Sequence, residues 1–183
     1  MSYRPITDVW ILARAKLKDG KKYYGAYPGG FLERARALLG VTINDSLLHV
    51  CGGLARYYPY RRGFGPNDCT VDLDPTTEPT YLMDVRLGLA GTLMSWKAWP
   101  AILIDPPYTL DDADKYKPGR KLFPGPNKLV EDAINAVRPG GRVGLLHYIV
   151  PRCPPNAVFV ACIAVIVGFN NRVRVYSVFE REM

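Results

Sequence analysis

Spaced cysteine pairs are missing from this 183-residue chain. Cys51, Cys69, Cys153 and Cys162 stand at irregular intervals without a CxxC, and the only histidines are His49 and His147. That excludes a zinc finger or ribbon, so no metal set is expected and the four thiols are expected to be reduced and mainly buried. No GxGxxG occurs, which argues against a nicotinamide or flavin enzyme. The longest apolar run, Ala157 to Phe169, is about 13 residues, short of the ~20 that a membrane-spanning helix needs. No membrane partner is expected. The N-terminus MSYRPITDVW carries Asp8 and lacks the basic, apolar and small-residue order of a secretory signal, so the expected compartment is the cytoplasm. Repeats, low-complexity tracts and Ser/Gly linkers are absent too, and residues 1–183 read as one domain.

Positive charge is plentiful. Lys and Arg number 24 against 17 Asp and Glu, a formal +7, which favours a polyanionic partner, nucleic acid first. Apolar residues make up 48%, enough for a substantial core. GGFLERARALLG places Phe31, Ala35, Leu38 and Leu39 on one helical face and stops at Gly40. LLHVCGG (47–53), TVDLD (70–74) and AILIDPPY (101–108) read as buried strands, each running into a loop of glycines, acids or prolines. A helix is expected between Asn127, as N-cap, and Pro139, with Leu129, Val130, Ala133, Ile134 and Val137 as its apolar stripe. RVGLLHY follows as another strand. AVFVACIAVIVGF and RVRVYSVFE flank Asn170-Asn171 as a β-hairpin. The expected fold is a three-layer α/β sandwich, its sheet mostly parallel and closed by a C-terminal antiparallel hairpin. In such folds ligands sit beyond the carboxyl ends of the strands.

At those ends, Gly52 and Gly53 permit close approach of backbone to a ligand, and Asp72, nineteen positions after Gly53, stands where an acid accepts from ribose hydroxyls. Asp84 follows a short apolar stretch and reads equally as a helix N-cap. Asp105-Pro106-Pro107-Tyr108 is more specific. Two prolines fix the backbone and remove its donors, leaving carbonyls and a carboxylate as acceptors beside an aromatic face. Such a clamp suits a planar group carrying an NH2, the amine donating twice while its ring stacks on tyrosine.

VCGG, VDLD, the acid of LMD and IDPPY, in this order, resemble the class I S-adenosylmethionine-dependent methyltransferases, in particular the amino-methyltransferases of DNA adenine or cytosine. The resemblance covers nearly the whole chain and implies a Rossmann-like methyltransferase sheet. It further implies that Tyr27, Pro28, Gly30 and Phe31 flank the cofactor, that Cys51, Gly52 and Gly53 line it, that Asp72 holds its ribose and Asp84 its adenine amine, and that Asp105, Pro106, Pro107 and Tyr108 grip the substrate amine. ARYYPYRRGFGPND stands where the family has a helix, and no segment remains for a separate target-recognition domain, which leaves room for a homodimer or a recognition partner.

Two loops interleave bases with aromatics. Arg56, Arg61 and Arg62 alternate with Tyr57, Tyr58, Tyr60 and Phe64, and Lys115, Arg120 and Lys121 surround Tyr116 after the clamp, so Arg61, Arg62, Lys115, Tyr116 and Arg120 are candidate substrate contacts. The Lys16, Lys18, Lys21 and Lys22 cluster reads as surface, and His147 as a packed or solvated residue. Methyl transfer from S-adenosylmethionine to a nucleobase amine is the expected function, adenine N6 in DNA ahead of an RNA base or a protein glutamine. A catalytically inactive nucleic-acid-binding module of the same fold is the alternative.

Overall fold

A computed structural model describes residues 4–13, 27–57, 62–89, 98–116, 123–168 and 172–183. In chain order the elements are β1 (Ile6–Leu12), α1 (Phe31–Leu39), β2 (Leu47–Val50), β3 (Cys69–Asp72), β4 (Tyr81–Leu82), β5 (Trp99–Ile104), α2 (Leu110–Tyr116), α3 (Pro126–Ala136), β6 (Val137–His147), β7 (Ala157–Val167) and β8 (Val173–Arg181). The strands form one eight-stranded sheet in the order β1-β7-β8-β6-β5-β2-β3-β4. Every pairing is parallel except the two made by β8, with β6 and with β7.

β2 and β5 are interior strands buried on both faces, which is why their sequences are apolar without alternation, except for the buried His49 that bonds Asp68. Along β5, Ala101 and Leu103 face one core while Ile102 and Ile104 face the other. Helix α1 covers the first face with Phe31, Leu32, Ala35 and Leu39, and ends on Gly40 in the left-handed conformation, as its sequence indicates. Helix α3 covers the second with Leu129, Val130, Ala133 and Ile134. Two helical layers on one mostly parallel sheet make the three-layer sandwich.

Three expectations need correction, and one strand was not expected. Helix α3 is capped by Gly125 with Pro126 in its first turn, not by Asn127. It ends at Ala136, so Val137 is no part of its stripe but the first residue of β6. The strand carries Pro139 because the register jumps between Trp99–Val137 and Ala101–Arg142, and the residues between need no partner on β5. β1 is an edge strand that the N-terminal sequence did not announce, and it pairs parallel to β7. Of its residues only Trp10 and Leu12 are buried, while Val9 and Ile11 project from the other face. The cysteines are free, but none is fully buried: three are half-buried and Cys153 is exposed. The Asn170-Asn171 turn and the four-lysine cluster lie outside the described residues.

Candidate active site

The sheet order reverses between β2 and β5: from β2 the chain steps outward to β3 and β4, and from β5 the other way to β6. A crevice opens at such a point beyond the strand ends. The two strands that flank it are tied together where they stop, the Asp105 amide donating to the Val50 carbonyl at 3.1 Å. Cys51, Gly52 and Gly53 leave β2 here, and Asp105, Pro106, Pro107 and Tyr108 leave β5.

The glycine turn is tight. Cys51 has φ 56°, a left-handed backbone that is uncommon for a side chain other than glycine. At Gly52 an added Cβ would lie 3.0 Å from the His49 Cβ and 3.1 Å from both the His49 carbonyl and the Thr70 methyl, so a larger residue would have to push these neighbours aside. Asp72, at the end of β3, accepts from the Gly53 amide at 2.9 Å through one oxygen and from the Asp74 amide at 3.0 Å through the other. The acid therefore shapes the glycine turn while keeping lone pairs for a ligand. Burial pushes its pKa up against these bonds. Asp84 caps a short 3-10 turn, Val85–Leu87, accepts from the Arg86 amide and pairs with the Arg86 side chain. The N-cap reading of Asp84 is what the geometry displays. It still belongs to the cluster, because the carboxylates of Asp72, Asp105 and Asp84 all bear on Cys51, whose thiol is raised well above its usual range by burial first and these charges second.

Asp105 is 8% exposed. Burial pushes its carboxyl up to about 6, against the charge of Arg174 and a hydrogen bond from Tyr108, and that bond runs from the Tyr108 hydroxyl to Oδ1 at 2.6 Å. Tyr108 packs among His147 (5.4 Å, edge-on) and Tyr148 (4.6 Å) with the Arg174 guanidinium 5.2 Å above its ring. His147 accepts from the Ile149 amide through Nδ1 and leaves Nε2 buried without a partner. Burial drives its pKa down to about 4, so it is a neutral packed residue at physiological pH.

Of the residues expected to flank a cofactor, Phe31 is fully buried and Tyr27 is 4% exposed, the two rings stacked at 5.5 Å. Gly30 takes φ 79° at the start of α1. The Tyr27 hydroxyl is buried without a hydrogen-bond partner, and its pKa is raised by burial and then by Asp105, so it faces the same site. An orphaned phenol, a crowded glycine turn and the Asp72 and Asp105 carboxylates at the adjoining strand ends fit a ligand that brings hydroxyl and amine donors.

The first basic loop is spent largely on the fold. Arg56 donates to the Thr70 and Thr80 hydroxyls, the Tyr57 hydroxyl to Glu78, and Phe64 stacks on His49 at 5.0 Å. Arg62 is exposed and pairs with Glu33 at 3.1 Å. Lys115, on α2, pairs with Asp112 at 2.9 Å, and Tyr116 closes the same helix. Arg61 and Arg120 lie outside the described residues.

Sequence reasoning missed two groups. Arg174 and Tyr148 stand beside the clamp because β8 is antiparallel and so begins at the edge where β5 and β6 end. That position in the last strand was the available signal. The second group is buried: Asp68 accepts from Arg36, from His49 Nε2 at 3.2 Å, and from the amides of Leu47 at 3.0 Å and Gly65 at 2.7 Å. Burial opposes its ionisation, yet the bonds from His49 and Arg36 hold its carboxyl below the usual range. This network pins the loop before β3 to α1 and β2, under the glycine turn.

No family model and no curated protein matches the chain. Solved structures do. TrmN from Thermus thermophilus aligns with a TM-score of 0.57 at 17% identity over 86% of this chain and 50% of TrmN. A putative RNA methyltransferase from Pyrococcus horikoshii gives 0.53 at 10% identity over 84% and 82% of the two chains. SMU.776, a putative methyltransferase complexed with SAH, gives 0.50 at 12% identity over 85% and 51%. This chain thus spans half the length of TrmN. Together with the strand order, these likenesses show that the fold is the mixed, mostly parallel α/β sheet of the class I methyltransferases.

Proposed function

We propose that this chain transfers a methyl group from S-adenosylmethionine to the exocyclic amine of a nucleobase, adenine N6 in DNA being the foremost acceptor. The observation that carries this reading is the buried Asp105 carboxylate at the switch point, bonded to Tyr108 and one strand away from the Gly52-Gly53 turn. S-adenosylmethionine supplies the electrophilic methyl group when bound. Gly52, Gly53, Asp72 and Asp84 are the proposed holders of its ribose and adenine, with Tyr27, Pro28, Gly30, Phe31 and Cys51 along its other side.

The aromatic amine is a poor nucleophile because its lone pair is delocalised into the ring. By accepting both N–H bonds, Asp105 and the Pro106 carbonyl favour a pyramidal nitrogen with its lone pair aimed along the transfer line, and Tyr108 gives the ring a surface to stack on. After transfer the nitrogen is cationic and strongly acidic, so its proton departs without a dedicated base. A target within duplex must be flipped out first. Arg61, Arg62, Lys115, Tyr116 and Arg120 are the proposed contacts to the strand. The exposed pair of Arg62 with Glu33 yields to phosphate at a cost of about 1 kcal/mol or less, whereas Lys115 is held more firmly by the buried Asp112 carboxylate. An RNA base is the second reading, favoured by the likeness to a putative RNA methyltransferase.

Incubation with labelled S-adenosylmethionine and DNA, RNA or protein decides the acceptor. Label is expected on DNA and lost with Asp105→Ala. Label on protein alone would overturn the nucleobase reading, and calorimetry without detectable S-adenosylmethionine binding would overturn methyl transfer.

A further inference from the structure

Arg174 is the second residue of β8, whose neighbour Val175 pairs with His147, the last residue of β6. This places it at the carboxyl edge of the sheet although it is 69 positions beyond Asp105. Its guanidinium lies 5.2 Å from the centroid of the Tyr108 ring, within cation–π range. The hydroxyl of that ring donates to Asp105. Arg174, Tyr108 and Asp105 therefore form one line of contacts from β8 to the end of β5. Tyr148 backs the line at 4.6 Å from Tyr108, and Arg172 donates to the Tyr148 hydroxyl at 3.2 Å.

We propose that Arg174 is a positioning residue of the acceptor clamp: it holds the Tyr108 ring from above and keeps a positive charge beside Asp105, so that the carboxylate stands ionised and oriented to accept from the amine. This role rests on the methyl-transfer reading of the same site. A buried carboxylate without a cation takes up a proton, and a protonated Asp105 would offer one acceptor fewer and a donor where the amine must donate. Among the described residues, the other groups that bear on Asp105 do not supply the charge. Tyr27, before α1, and Cys51, at the end of β2, are both held neutral by burial, and Tyr108 contributes only its hydroxyl. Arginine suits the position because its planar guanidinium stacks on an aromatic face while remaining charged; lysine would keep the charge and lose the stack.

Two measurements on the full chain test this: the pH profile of methyl transfer, and the titration of the Asp105 carboxyl by carbon NMR, assigned with Asp105→Asn. Arg174→Gln is expected to move the NMR midpoint and the acid limb upward together from about 6, by about one pH unit or more. Arg174→Lys should hold the midpoint near wild type and raise KM, since the charge stays and the stack goes. An unmoved midpoint in Arg174→Gln, or an equal displacement in Arg174→Lys, would overturn the proposal. The NMR midpoint reads Arg174 even where no acceptor accepts label. No turnover by the wild-type chain together with a displaced midpoint in Arg174→Gln therefore condemns the methyl-transfer reading, whereas wild-type turnover with an unmoved midpoint in Arg174→Gln condemns the role of Arg174.

Discussion

Replacing Asp105 with asparagine should make the protein more stable at neutral pH while ending its activity. An unfolded aspartate titrates near ~3.9, whereas the buried Asp105 carboxyl titrates near about 6. The fold thus disfavours the ionised form. Between the two values the folded chain keeps a proton that the unfolded chain has released. The favourable contribution, full at low pH, is lost as pH rises from about 4 to about 6 and stays lost above. At about 1.4 kcal/mol for each tenfold change in proton affinity, an ionised Asp105 costs ~3 kcal/mol at neutral pH. Being only 8% exposed, the group receives little solvent screening to reduce that figure. Asparagine does not titrate, and its oxygen still accepts from Tyr108. Its NH2, among prolines, returns about 1 kcal/mol of the gain. Urea unfolding of both proteins across pH separates these terms: the stability difference should widen by about 2 kcal/mol between about pH 4.5 and 7.5, with all of the change in the wild type. A constant difference, or a variant less stable throughout, would show that Asp105 is not a strained carboxylate and that its role in the clamp has been misread.

Three further outcomes follow from the same contacts. Asp68→Ala strands the Arg36 charge and the Leu47 and Gly65 amides, and should cost ~3 to 5 kcal/mol in urea unfolding; a loss under ~1 kcal/mol would show the loop before β3 to be held by other means. Asp72→Ala should weaken S-adenosylmethionine binding in calorimetry by ~1.5 to 3 kcal/mol, and unchanged affinity would remove Asp72 from the cofactor site. Tyr108→Phe should retain more methyl transfer than Tyr108→Ala, because the ring supplies ~1 to 3 kcal/mol of stacking per base; equal activity of the two variants would make the ring irrelevant.

What could be read from sequence follows from burial. β2 and β5 were legible because strands covered on both faces must be apolar throughout, and α1 because its face and its Gly40 stop agree. β1 was not, since an edge strand with two buried residues leaves no periodic trace. The boundary of α3 slipped because Val137 suits a helix stripe and a buried strand equally well, and only the partner Trp99 decides between them. In the site, a buried acid beside an aromatic ring at the end of β5 was legible from the order Asp105-Pro106-Pro107-Tyr108 after an apolar strand. Arg174 was overlooked although the expected antiparallel hairpin sets the direction of the last strand, because nothing in the sequence pairs it with Tyr108. Within the basic loop the role of Arg56 was not legible, because an arginine bonded to Thr70 and Thr80 has the same spelling as one that faces a phosphate.

The family pattern places a helix after β2, yet among the described residues the connections between β2 and β5 contain only the 3-10 turns Pro75–Thr77 and Val85–Leu87. Helices normally brace the strand ends at a switch point, and among the described residues a different bracing is present. It comes from bonds that run directly between the ends: Gly52 to Val71, Gly53 to Asp72, Met83 to Asp72 and Asp105 to Val50, with the Asp68 network beneath. Three of these are backbone bonds, indifferent to side-chain identity, and one, from the Gly53 amide, passes through the Asp72 carboxylate also proposed to bind ligand. The site is consequently rigid where backbone meets backbone and sensitive where it depends on Asp72 or Asp68. For this reason Asp72→Asn, which keeps one acceptor oxygen for the Gly53 amide, should lose less affinity for S-adenosylmethionine than Asp72→Ala, and an equal loss in both would mean that the charge, and not the turn it holds, is what the ligand requires.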